Sequence, residues 1–402
     1  MSSKNMKIYI RLIFLLAVLL FACNKEDYVS SGQADSFIKF FGNSLSDFGF
    51  DVKQTSDGGY IFIGTTTTSE DGTDMLLIKT NKYGNQEWAK NFGGDLDDKG
   101  YSLQIAYDGG YILLGSTTQS TGNTTDFYLV RTDNSGNETW ANTIGGSSNE
   151  EGYCVQQTDD GGYILIGYTE SYGFGAKDIF LVKTDQNGDT LWTNTFGGPV
   201  DDIGRSVAQK NDKSFVITGS TKSFSETGQD GSNLIIIKTN ENGFETDKIT
   251  YGGLDNDYGE SIQILPGGGY VVTGTTSSSG NGLSDIYLLL IGENIHEEPV
   301  TKTFGGSEND FGYSIRLTEN NGFIIVGTKG ISGNSAVYLI KTDNSGAEEF
   351  SKTYGGVGNE TGKAVEQTTD GGFIIIGSSV IEGNSMISLV KIRPDGGLNP
   401  DK

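Results

Sequence analysis

The sequence is poor in the residues that most often carry catalysis or cross-links. It has one histidine, His296, and two cysteines, Cys23 and Cys154, in 402 residues. A single imidazole excludes a His-rich metal site and leaves little basis for a Ser-His-Asp triad. His296 lies in the irregular segment Glu293-Asn294-Ile295-His296-Glu297-Glu298, read as an exposed turn. Proline is scarce, at 5 residues, as expected of a chain built from paired strands that cannot spare backbone donors. The one long apolar run, Leu12 to Ala22, is 11 residues, well short of the ~20 that a spanning helix needs. Basic residues are also few: 28 Lys and Arg face 52 Asp and Glu, for a formal charge of −24. Such a field repels nucleic acid and anionic head groups and says little about fold.

Glycine is what the chain has in excess, at 60 residues. Together with proline it stays below the ~25–30 % of low-complexity chains, and it recurs at fixed offsets. Seven copies of one block, spaced by about 52 residues, run from Phe41 to the C-terminus. Counted from the residue before each opening Gly, they start at Phe41, Phe92, Ile144, Phe196, Tyr251, Phe304 and Tyr354. Position 9 is glycine in every copy (Gly100 in the second), as is position 24 (Gly115). Position 20 is always aromatic, Tyr111 in the second copy. Position 7 is always acidic: Asp47, Asp98, Glu150, Asp202, Asp257, Asp310 and Glu360.

Each copy reads as four short strands. In the second, Tyr101–Ile105 is strand A, Asp108-Gly109-Gly110 a hairpin turn, and Tyr111–Leu114 an all-apolar strand B. Phe127–Val130 is strand C and, after the Asn134–Asn137 turn, Glu138–Asn142 is strand D. Repeats of this length with four strands predict an all-β fold, a seven-bladed β-propeller. The last copy lacks strand D, while Phe37-Ile38-Lys39-Phe40-Phe41 matches Trp88-Ala89-Lys90-Asn91-Phe92 position for position. The N-terminal strand is therefore expected to complete the last blade and close the ring, hiding edges that invite aggregation. The expected organisation is a leader over 1–22, a tether over 23–35 and one propeller over 36–402.

Lys4, Lys7 and Arg11 precede the apolar run, which ends in Leu20-Phe21-Ala22-Cys23. This resembles a bacterial lipoprotein signal peptide. The resemblance implies cleavage before Cys23 and acylation of its sulfur and new amine, including palmitate-type chains, giving stable membrane anchoring. Asn24-Lys25-Glu26-Asp27 resembles the surface-export signal of Bacteroidota lipoproteins. Together these imply a bacterial outer-membrane location, exposed at the cell surface. Cys154 is then left without a disulfide partner; it is read as a small buried strand-A residue. The repeats resemble the Asp-Gly-Gly-Tyr-Ile type of bacterial propeller repeat, common in secreted and lipid-anchored proteins. A weaker likeness, to quinoprotein-type propellers, rests on the Gly-x-x-x-Trp spacing ending in Trp88, Trp140 and Trp192. The other copies lose that tryptophan, so the three are read as packing between blades rather than as a cofactor signal.

The position-7 acids fit either a ring of cation sites or caps on backbone N–H groups, and their recurrence in every blade favours caps. Asp95, Asp97 and Asp98, and Asp185, Asn187 and Asp189, have oxygen-rich spacing that Ca²⁺ accepts, but lack the distal bidentate Glu of a full loop. No catalytic residue, cofactor or metal is assigned. Arg205, Glu260, Arg316 and Lys363 break the strand-A pattern near position 10 and would form a polar pocket wherever strand A lines the central channel. The B–C loops vary most, and variable loops on a rigid scaffold are where binding concentrates. Tyr168, Tyr172 and Phe174 in the third copy are the candidate ligand-binding loop. The longest such loop, Ser220–Ser232, is expected to be mobile. The expected function is a surface-anchored binding or scaffold module, monomeric, for a glycan or an envelope protein. The alternatives are a polysaccharide-acting enzyme and a purely structural envelope module.

Overall fold

The computed structural model describes residues 36–43, 45–68, 72–224, 231–356 and 358–398. Among the described residues there are seven four-stranded antiparallel sheets; the first six copies of the repeat each form one, and the last copy supplies three strands of the seventh. In blade 2, strand A is Asp98–Ile105, B is Tyr111–Thr118, C is Thr125–Thr132 and D is Glu138–Ile144. Strand A of each blade contacts strand A of the next, and that of blade 7 contacts that of blade 1. Strand A is thus innermost, around a central channel. Strand B is buried along almost its whole length, which is why its sequence is a continuous apolar run rather than an alternation. Strand D is outermost and alternates exposed and half-buried residues.

The ring closes as expected. Strands A to C of blade 7 (Glu360–Gln367, Phe373–Ile381 and Asn384–Ile392) pair in order, and Phe37–Phe41 adds antiparallel to Asn384–Ile392. Side chains complete the join between blades 7 and 1: Thr369 N–H donates to Gln54 Oε1 at 2.8 Å, and Gln54 N–H donates to Glu366 Oε1 at 3.3 Å.

The two glycine rings have different causes. A Cβ on Gly115 would lie 1.7 Å from the Lys99 carbonyl oxygen, within the same blade. A Cβ on Gly100 would lie 2.7 Å from Met75 Cγ and 2.8 Å from the Gly64 carbonyl oxygen of blade 1. Position 24 therefore keeps strands A and B together, and position 9 lets blade pack on blade. The tryptophans also bridge blades: the rings of Trp88 and Tyr111 lie 6.2 Å apart, Trp140 and Tyr163 6.1 Å, and Trp192 and Phe215 6.0 Å. Phe37 plays the same part against Tyr60 across the closure, at 5.9 Å.

Candidate functional site: the central channel and the loop face

The pairing of strands A and B slips in every blade between position 9 and position 11, for instance between Gly100 and Ser102. A β-bulge re-aims the residue it contains. Here it turns position 10 toward the axis seven times. The side chains Phe50, Tyr101, Tyr153, Arg205, Glu260, Tyr313 and Lys363 together line a cavity of about 250 Å³. A second space of about 390 Å³ shares them and continues along strand A toward the A–B turns, past Lys53, Gln104, Arg316 and Glu366.

The ring is ordered by chemistry. Phe50, Tyr101 and Tyr153 form an aromatic arc, with centroids 5.0 and 5.4 Å apart. Arg205 lies over the Tyr153 ring at 4.1 Å, and its Nε is 3.8 Å from Glu260 Oε2. Lys363 Nζ lies 3.4 Å from the centroid of Tyr313. Burial pulls the Lys363 ammonium down to about 8, with Glu260 favouring its charge and Arg205 opposing it. Burial also lifts Tyr313 to about 12 and raises Tyr101 and Tyr153 above the ordinary phenol value. Burial works against the Arg205 charge, but Glu260, Tyr153, Glu151 and Tyr101 together more than offset it. Arg205, Glu260, Arg316 and Lys363 thus do meet in the channel. The aromatic members of the ring went unnoticed in the sequence, because without the bulge position 10 is one unremarkable strand residue.

Cys154 lines the same channel and is half-buried rather than enclosed; burial raises its thiol. Three other position-11 side chains tie blade to blade. Asp51 Oδ2 accepts from Leu103 N–H at 3.1 Å, and the Ser102 and Ser206 hydroxyls accept from Val155 and Ile262 N–H at 3.3 Å.

Each position-7 acid accepts the N–H of the residue four before it. Asn43 donates to Asp47 at 2.8 Å, Gly94 to Asp98 at 2.6 Å, Gly146 to Glu150 at 2.8 Å and Gly198 to Asp202 at 2.9 Å. Gly253 donates to Asp257 at 2.9 Å, Gly306 to Asp310 at 2.7 Å and Gly356 to Glu360 at 2.7 Å. A second buried acid, at the start of strand C of the preceding blade, faces several of them: Asp126 faces Glu150 and Asp178 faces Asp202 across Gly145 and Gly197. Burial, and then the charge of Glu150, raise Asp126 to about 6. In the blade 4–5 junction Asn233 stands in that place, opposite Asp257.

The oxygen-rich clusters cap turns. Asp185 Oδ1 accepts from Asn187 and Asp189 N–H at 2.8 and 3.0 Å, and Asp97 Oδ1 accepts from Thr73 N–H at 3.0 Å. Among the described residues no group of three or more His, Cys, Asp or Glu is arranged to hold a metal ion. His296 is exposed, with Nε2 2.8 Å from Asp247 Oδ1, the residue that stands in the tryptophan slot of blade 4.

Tyr168 departs from the loop reading. It belongs to strand B of blade 3 (Tyr163–Thr169), is 5 % exposed, and lies between Tyr153 and the Lys177 ammonium. Strand B runs further than its apolar core suggests, so Tyr168 is spent on packing and offers no free face to a sugar. Tyr172 and Phe174 are on the loop and exposed, Phe174 by 77 %, while the Tyr172 hydroxyl donates to the Gly145 carbonyl at 2.8 Å. In the Ser220–Ser232 loop, residues 225–230 lie outside the described residues, as do Cys23 and the leader.

Other exposed apolar side chains share that face, on D–A or B–C loops: Leu45, Leu96, Val200, Leu254 and Leu283. Gly175 of the blade 3 loop abuts Gly198 and Pro199 of blade 4, so Phe174 and Val200 flank one contact. The tight-turn face exposes Tyr83, Tyr107 and Phe244, each in a separate turn.

No family model matches the sequence, and no curated protein matches it. Solved structures do match in fold. The chain is similar to the β-propeller domain of the trilobed protease from Pyrococcus furiosus, at 10 % identity and TM-score 0.50, over 90 % of this chain and 97 % of that one. That domain has an open velcro topology; here Phe37–Phe41 closes the ring. The chain is also similar to Raptor from Chaetomium thermophilum, at 12 % identity and TM-score 0.52, over 88 % of this chain and 28 % of that one. A third likeness is to Chaetomium thermophilum Sqt1 bound to the N-terminus of the ribosomal protein L10, at 12 % identity, TM-score 0.48 and 86 % of each chain. The likenesses that reach a TM-score of 0.50 are likenesses of fold: this is a β-propeller built from sequence repeats.

Proposed function

We propose that the protein is a bacterial envelope lipoprotein, anchored at the cell surface through Cys23, whose propeller is a binding module that holds a protein partner on its loop face. One observation carries this reading. Exposed apolar side chains gather on the D–A and B–C loops, whereas the tight-turn face shows isolated ones. Phe174 and Val200 flank one contact on that face, and adjoining exposed apolar side chains on a monomer mark an interaction site. Most of these side chains are aliphatic, which suits a protein partner better than a glycan, and Tyr168 is not free to stack on a sugar. The acids around them, among them Asp97, Asp201, Asp255 and Glu308, favour a partner with a basic rim. A polysaccharide-acting enzyme would need converging carboxylates. The axial ring carries one, Glu260, already beside Arg205.

The test places a photo-crosslinking side chain at position 174, 254 or 107 of the full-length protein in its own cell. A discrete protein adduct from 174 and 254 but not from 107 is expected, and Cys23→Ala should release the chain from the membrane fraction. Equal adducts from both faces would overturn the loop-face assignment. Retention on a glycan panel that Phe174→Ser abolishes, with no protein adduct, would replace the protein partner by a glycan.

A further inference from the structure

Four cations line the channel, and three of them are engaged by the protein. Lys53 lies 2.5 Å from Asp51, Arg205 is 3.8 Å from Glu260, and Arg316 donates to the Ile315 carbonyl at 2.9 Å. Lys363 differs. Its ammonium rests on the face of Tyr313, and among the described residues no hydrogen bond or ion pair holds it. A ring face offsets part of the cost of taking an ammonium out of water, but satisfies none of its three directed donors. Those donors border the cavity of about 250 Å³. Beside Lys363 around the ring come Phe50 and Tyr101, an apolar and aromatic wall. Beyond Tyr313, two blades round the ring from Lys363, stands Glu260, the one carboxylate at this level, which repels a second negative charge on any occupant.

From this juxtaposition we infer a ligand site in the channel: the ring binds a small cyclic monocarboxylate, its carboxylate on Lys363 Nζ and its ring against Phe50 and Tyr101. The charge-assisted hydrogen bonds supply orientation, and the aromatic wall supplies apolar contact. The cavity of about 250 Å³ has room for one six-membered ring between Lys363 and the aromatic wall. The site is separate from the loop face and stands whether or not a protein partner binds there.

Calorimetric titration of the full-length protein with benzoate, cyclohexanecarboxylate, benzamide and inorganic phosphate tests it. Both carboxylates should bind at least about tenfold more tightly than benzamide or phosphate. Lys363→Gln should weaken benzoate about tenfold, and Lys363→Arg should hold it within about threefold. In the unaltered protein, benzoate affinity should fall from pH 7 to 9.5 as Lys363 gives up its proton, with Tyr313, Glu260 and Arg205 the groups that face it. Benzamide should show no such fall. Equal affinity for benzoate and benzamide, a pH-independent benzoate affinity, or no carboxylate binding at millimolar concentration would each overturn the site. These three readouts need no variant to fold.

Discussion

Positions 9 and 10 of strand A are neighbours in sequence and opposites in behaviour. Position 9 is glycine seven times; position 10 is Phe50, Tyr101, Tyr153, Arg205, Glu260, Tyr313 and Lys363. The packed side chains and backbone of the preceding blade leave no room for a side chain at position 9, whereas the bulge hands position 10 to open space on the axis. Repetition within the chain therefore marks what the ring needs to close. Variety marks where each blade is free to contribute different chemistry.

The sharpest way to break this contrast is to put a methyl group on a repeated glycine. Gly115→Ala at position 24 forces a Cβ onto the Lys99 carbonyl and should cost about 3 kcal/mol, read by urea unfolding; a loss below about 1 kcal/mol would remove the steric account. A smaller effect, opposite in sign, is expected at the acid pairs. Burial and Glu150 raise Asp126 to about 6 in the folded state, so the fold holds that proton more tightly than the unfolded chain does. The stability linked to it is complete below about pH 4 and lost as pH rises through about 6. Asp126→Asn copies what Asn233 already does between blades 4 and 5. It should add about 1 kcal/mol at pH 7.5 and nothing at pH 4. A gain that persists unchanged at pH 4 would sink the titration argument. The smallest effect belongs to position 10: Tyr101→Phe should move the unfolding midpoint by no more than about 0.5 kcal/mol. A larger loss would make the channel ring a structural belt after all.

The architecture was legible because it repeats. Seven aligned blocks and the match of Phe37–Phe41 to Trp88–Phe92 contain the blade count and the closing strand. What was not legible depends on geometry between blades. The polar residues Arg205, Glu260 and Lys363 stood out by charge, but their aromatic companions became a ring only through the bulge that follows each position-9 glycine. Asp126 and Glu150 lie in different copies and meet only across a blade junction. Tyr168 looked like loop because aromatic residues serve a strand end and an exposed loop equally well; the extra pairs Tyr168–Glu151 and Thr169–Glu150 decide it.

The closing strand has a direction as well as a place. Phe37 pairs with Lys391 beside the tight turns and Phe41 with Ile387 toward the loops. The polypeptide therefore joins the ring at the tight-turn face. Thirteen residues, 23–35, connect the proposed anchor to that point, a span of at most ~45 Å when fully extended. The chain thus enters the ring on the face opposite the exposed Phe174 and Leu254.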